Sequence, residues 1–201
     1  MDIILEKNFS VPANELDHRS KIKIDALLGF LMESAAAHAA ALGVSVFDLA
    51  EKNLTWVLSR YHIRIRRYPE FGETVTVRTW PASRQGVFTL RDFKAEGTRG
   101  PVALATTSWL VIDLDTRKPV DLESRLRDFP VHAERALPDD FGSLPSFNEG
   151  GEEREYPVLK SHLDFNRHVN NAVYIQWAVE TVPDEVLLNS NPAEIEINYR
   201  G

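Results

Sequence analysis

Apolar positions fall into two kinds of run along the chain. Over residues 24–42, IDALLGFLMESAAAHAAAL, they recur at helical spacing, and Gly43 supplies a stop. Leu27, Leu28, Leu31, Ala35 and Leu42 fall roughly on one face, and the alanines would let this helix press closely against a sheet. Residues 1–9 read as a short strand. After the helix come strand-like runs at 56–66, 73–81, 87–95 and 102–112, separated by turn residues at 68–72, 83–86 and 97–101. One long helix followed by four long strands is an α+β pattern, satisfied by a curved antiparallel sheet wrapped around a central helix.

The run then changes character. Prolines, charges and glycines dominate up to residue 151, with one short helix predicted near 122–127. This stretch reads as a connection to a second unit that repeats the opening: a strand at 153–159, a helix at 169–181 and a strand at 193–200. An offset of 147 aligns Leu16 with Leu163, Asp17 with Asp164, Phe30 with Trp177 and Glu33 with Glu180. The shared order of strand, Leu-Asp turn and helix predicts an internal duplication. Three strands that follow in the first copy have no counterpart before Gly201, so the second copy is expected to be incomplete.

The segment LDFNRHVNNAVYIQW, residues 163–177, sets an acid, three asparagines and a histidine just ahead of an apolar run. Asp164, Asn166 and His168 alternate with Phe165, Arg167 and Val169, so an extended backbone would line them along one wall. Asn170 and Asn171 fall where the helix begins. Asparagine is a strong N-cap because its side-chain oxygen accepts from free backbone N–H groups. The positive end of the helix would polarise a carbonyl oxygen placed there, which is the logic of an oxyanion hole. His168 is a candidate general base, the role to which a histidine is suited at neutral pH. Asn166 could hold a water or a carbonyl, and Asp164 could orient a partner or the loop. The same residues equally suit a capped turn around a structural histidine. A metal site is disfavoured, since His162 would point elsewhere on an extended segment.

Composition narrows the classes. The chain has 201 residues, 43% apolar and 26% charged, which suits one large domain or two small ones. It has no cysteine, which excludes disulfides, thiolate zinc sites and a cysteine nucleophile within it. The opening MDIILEKNFS turns charged too soon for a signal peptide, and no apolar run looks long enough to span a bilayer. A soluble, cytoplasmic protein is expected. The net charge of −7 argues against general nucleic-acid binding.

D-x-N-x-H-V-N-N-x-x-Y-x-x-W, residues 164–177, resembles the signature of the acyl-acyl carrier protein (acyl-ACP) thioesterases of plants and bacteria. WVLSRYHIRIRRYPEFGETVTVRTW (56–80) resembles that family's first-domain strands, and ATTSWLVIDLDTRKPV (105–120) the strand leading into its linker. The resemblance covers nearly the whole chain. It implies a double hotdog fold, two helices each wrapped by an antiparallel sheet, here with domains at 1–113 and 152–201 and a linker at 114–151. It implies hydrolysis of the thioester that joins a fatty acyl chain to the carrier protein's phosphopantetheine arm, with no cofactor and no metal. Asp164, Asn166 and His168 take the family's catalytic positions. The family also places an acid, beside a cysteine in plant members, just after a Tyr-Arg-x stretch. Here Tyr199-Arg200-Gly201 closes the sequence, so that acid is expected outside it. The rival readings are a hotdog acyl-CoA thioesterase, a hydratase and an acyl-thioester-binding module without turnover.

An acyl chain needs an apolar tunnel. Leu27, Leu31, Met32 and Ala35 on the first helix, with Trp56 and Phe88, are candidate walls, and they suit a plain first-domain core as well. His38, among alanines, is expected to be packed or lining. Arg60, His62, Arg64 and Arg66 alternate on one face of a strand. That face is either a solvated outer surface or a landing site for an acidic carrier protein or the phosphate of its arm. The oligomeric state stays open, a homodimer included.

Overall fold

The computed structural model describes residues 3–126, 129–139, 141–145, 153–164 and 167–199. The elements run β1 (Leu5–Ser10), α1 (Ile24–Ala41), α2 (Val46–Ala50), β2 (Leu54–Ile65), β3 (Thr74–Gln85), β4 (Phe88–Gly97), β5 (Gly100–Asp113), α3 (Leu122–Arg125), α4 (Asn171–Glu180), α5 (Asp184–Leu187) and β6 (Glu194–Asn198). The strands form one antiparallel sheet in the order β1-β3-β4-β5-β2-β6. Consecutive strands β3, β4 and β5 are joined by two-residue turns. Gly86 opens the first at φ +62°, a left-handed backbone that glycine adopts without penalty. Pro81 has no N–H to give the ladder, and β3 bulges beside it, between Pro81 and Ser83.

The inner face of the sheet wraps α1. Leu27, Leu28, Leu31 and Ala35 are buried against Ile63, Val75, Val77, Phe93 and Ala105. Each such leucine contributes about 1.5–3 kcal/mol on burial. At its C-terminus Gly43 takes φ +68° and donates to Ala40 O, closing the helix as its position predicts. By length and hydropathy α1 could cross a bilayer (18 residues, mean hydropathy 1.2), contrary to the expectation that no run is long enough. The sheet wrapped around it accounts for that apolar content.

The connection after β5 lies on the outer face of the sheet. Trp80 Nε1 donates to Glu134 O, His132 N donates to Pro81 O, and buried Asp92 accepts from Ala136 N (2.6 Å) and Arg135 Nε (3.0 Å). Strand β4 is therefore covered on both faces, which is why Leu90, Arg91 and Asp92 are buried in succession.

The second unit adds to this scaffold. Ile175 of α4 enters the α1 core, and Gln176 Nε2 donates to Asp25 Oδ2 at 2.5 Å. Strand β6 pairs antiparallel with β2, from Arg60↔Asn198 to Arg64↔Glu194. Among the described residues the strands of the two helix-wrapped units thus join edge to edge in one sheet. Residues 153–159 form no strand. Val158 and Leu159 are exposed, so this stretch buries no apolar face against the sheet. Helix α2 was not anticipated, although Ser45 and Asp48 form a reciprocal capping box at its start.

Candidate active site

The polar segment is a tight loop, not an extended wall. Leu163 and Val169 form an isolated bridge. Between them Asp164 N donates to His168 O (2.8 Å), Arg167 N to Asp164 O (3.0 Å) and His168 N to Asp164 Oδ1 (3.1 Å). Arg167 reverses the chain at φ +62°. Asp164 and His168 therefore do not stand along one extended wall as expected, because this reversal breaks the alternation. Asn166 itself lies outside the described residues.

The loop ahead of α1 repeats this geometry at the offset of 147. Leu16 and Ile22 bridge, Asp17 N donates to Lys21 O (2.7 Å), and Ser20 N donates to Asp17 O (3.0 Å). Lys21 N donates to Asp17 Oδ1 (2.9 Å), and Ser20 sits at φ +61°. Asn170 N reaches His162 O at 2.8 Å as Lys23 N reaches Glu15 O at 2.8 Å. The duplication read from sequence is present at the level of single hydrogen bonds.

The second loop opens onto α4 as predicted. Asn170 is the N-cap, its side chain accepting from Ala172 N at 2.9 Å, and Asn171 begins the helix. Tyr199 OH donates to Asn171 O at 3.2 Å. Beside them lies a cavity of about 740 Å³ bounded by α1, the inner sheet face and the start of α4. Asp164, Asn170, Asn171 and Tyr199 stand at its α4 end, while Met32, Ala36, Ala39, Trp56, Trp109 and Phe129 line its body. Of the predicted wall, Met32, Ala35 and Trp56 line it. Leu27 and Leu31 are 0% exposed in the core and do not appear among the described lining residues, because they face the sheet. His168 is exposed and is also not among them. It is joined to the site through its backbone contact with Asp164.

Among the lining residues not predicted from sequence are Tyr61 and Arg91. Tyr61 is buried with its hydroxyl unpartnered, and burial, followed by nearby Tyr199, pushes its ionisation well up, so it stays a neutral donor. Arg91 is also buried in the wall, and burial pushes its guanidinium down to about 10. Strand parity could have found it: Arg91 shares a face with the core residues Phe93 and Ala95.

The basic strip on β2 is answered by acids. Arg64 Nε donates to Glu194 Oε1 (2.5 Å), and buried His62 lies between Asp139 Oδ2 (2.6 Å) and Glu194 Oε1 (2.7 Å). Arg64, and then His62, hold the Glu194 carboxyl below its ordinary range. His62, Glu194 and Glu196 bring potential metal-ligand atoms within 4.8 Å of one another, but these side chains already satisfy each other. Arg66 is exposed and Arg60 half-buried.

The family model for the acyl-ACP thioesterase N-terminal domain matches residues 3–129, and that for the C-terminal domain matches residues 147–201. The chain belongs to the acyl-ACP thioesterase family. It is 28% identical to the chloroplastic oleoyl-acyl carrier protein thioesterase 1 of Arabidopsis thaliana, over 97% of this chain and 59% of that protein. The fold matches the solved 12:0-ACP thioesterase from Umbellularia californica with a TM-score of 0.84 at 24% identity, covering 100% of this chain and 83% of that one. An acyl-ACP thioesterase from Bacteroides thetaiotaomicron aligns with a TM-score of 0.80 at 27% identity, covering 98% and 81%. These are thioesterases of the hotdog fold, and the chain spans a little over half the length of the curated relatives it matches.

Proposed function

We propose that this chain hydrolyses the thioester of fatty acyl-ACP and releases free fatty acid. One observation carries the reading: the apolar cavity ends at the loop and helix start where the family signature falls. The acyl chain lies in the cavity, with its carbonyl at the first turn of α4. The positive end of α4 stabilises the oxyanion. Asn170 fixes that turn, and Asp164 holds the loop closed through His168 N. His168 takes the proton from water as the oxygen attacks the carbonyl carbon. The tetrahedral oxyanion then collapses, the C–S bond breaks, and the proton passes to the departing pantetheine thiolate. Asn166 is assigned to the water or carbonyl by its place in the signature.

The partner is then an acyl carrier protein bearing an acylated phosphopantetheine. Because Glu194 neutralises Arg64, the docking reading of the β2 strip rests on Arg66 and Arg60. The test is fatty-acid release from matched panels of acyl-ACP and acyl-CoA of several chain lengths. Release from acyl-ACP with a preference over acyl-CoA supports the proposal. Equal or better use of acyl-CoA, or no release from soluble folded protein, overturns it.

A further inference from the structure

A buried aromatic side chain with a polar tip ordinarily gives that tip a partner. The rule holds for most of this core. Tyr68 OH donates to Pro192 O (2.7 Å), Tyr199 OH to Asn171 O (3.2 Å), Trp56 Nε1 to Val44 O (2.8 Å) and Trp109 Nε1 to Thr107 Oγ1 (2.8 Å). Tyr61 departs from it. It is 2% exposed, it lines the cavity, and its hydroxyl meets no partner. A hydroxyl withdrawn from water with nothing to bond costs stability, and the methylenes of an acyl chain do nothing to offset that.

Its place on the sheet says which part of a ligand it meets. Tyr61 pairs with Ile197 of β6, and Tyr199, two positions on, packs against the same core. Side chains in that diagonal relation lie within reach of one another. Tyr199 touches the first residue of α4 through Asn171 O, and Ile175, one turn further on, packs in the same core cluster as Tyr61. The phenol therefore stands on the sheet side of the cavity, near the α4 end. Burial, and then the neighbouring Tyr199, keep its proton in place, so it is available as a neutral donor. On the cavity side of the sulfur a fatty acyl thioester carries one oxygen, the carbonyl.

We infer that the Tyr61 hydroxyl donates to the thioester carbonyl oxygen and is a catalytic residue of this site. The inference rests on the cavity being the acyl site, as proposed above, and adds a side-chain donor to the positive end of α4. The phenol keeps its proton throughout. Its hydrogen bond strengthens as negative charge gathers on the oxygen, so it favours the tetrahedral state over the bound thioester.

Two measurements on the whole chain test this. Tyr61→Phe keeps the ring and removes only the oxygen. It should lower kcat for acyl-ACP about a hundred- to a thousandfold, the loss typical of one oxyanion donor, with KM little changed. Its melting temperature should match or exceed that of wild type, because an unmet buried hydroxyl is gone. The second readout needs no turnover. A medium-chain acyl-pantetheine analogue, its thioester sulfur replaced by a methylene and its carbonyl isotope-labelled, is bound to wild type and to Tyr61→Phe. The carbonyl stretch should lie at higher frequency in the variant, where a hydrogen bond to it is lost. A stretch that is the same in both proteins overturns the inference, and so does an unchanged rate where wild type turns over. Either leaves the hydrolase reading standing. A variant that melts well below wild type marks the hydroxyl as structural and also overturns the inference. A stretch that depends on Tyr61 in a chain that releases no fatty acid supports the carbonyl contact while removing the hydrolase reading. Failure of the analogue to bind wild type overturns both.

Discussion

The two Leu-Asp loops share one backbone and carry different chemistry. Each is a bridge closed over an aspartate that accepts from the residue four positions on, each turns at a positive φ, and each leads into a helix. In the first, the residue four on is Lys21, and its ammonium is bound to Glu70, which also holds Arg99. The helix that follows starts at Lys23 with no side-chain cap. In the second, the equivalent positions are His168 and the N-cap Asn170. A loop that only shapes the entry to a helix was kept in one copy. In the other it carries the titratable and amide side chains of the family signature. The lesson is that the geometry is structural, and the side chains hung on it decide whether it is also a site.

Aspartate removal should separate the two most sharply. Asp164→Ala should lower fatty-acid release about a hundredfold by displacing the site. Asp17→Ala should cost about 1–3 kcal/mol of stability with little change in rate. Release kinetics and denaturant unfolding read both, and an equal loss of rate in the two variants would break the comparison.

The caps come next. Asn170→Ala should destabilise by about 1 kcal/mol, and Lys23→Asn should stabilise by up to about 1 kcal/mol, in urea unfolding. A neutral Lys23→Asn would show that the first helix start gains nothing from a cap.

The smallest effect is in acid. Hydrogen bonds from Lys21 and Arg99 hold Glu70 down to about 2 from an ordinary 4.5. A carboxyl lowered on folding contributes stability above its unfolded value and loses it as pH falls through the folded one. The first loop should therefore weaken between about pH 4.5 and 2, and Glu70→Gln should flatten the fall in melting temperature over that window. An unchanged pH profile in the variant would mean that Glu70 does not secure this loop.

Much of this was legible in sequence where a period ran long. Helix α1 and strands β2 to β5 were marked by sustained apolar spacing and by Gly86 and Gly100 at the turns. The short apolar run at 153–159 misled, because a strand also has to bury an apolar face against the sheet, and only the fold says whether it does. The shape of the Asp164 loop depends on a positive φ at a non-glycine, Arg167, which no local pattern announces. The duplicated Leu-Asp did point to it, since Asp17 stands in the same turn. In the cavity, Met32, Ala35 and Trp56 were found. Leu27 and Leu31 were taken with them because a helical stripe does not say which of its neighbours the sheet covers.

The most direct test of the account is fatty-acid release from acyl-ACP by His168→Ala and Lys21→Ala side by side. The account predicts a loss of about a hundred- to ten-thousandfold for His168→Ala, the worth of a general base, and a rate near wild type for Lys21→Ala. A His168→Ala enzyme that keeps its rate, or a Lys21→Ala enzyme that folds and loses it, would contradict the assignment of chemistry to the second loop alone.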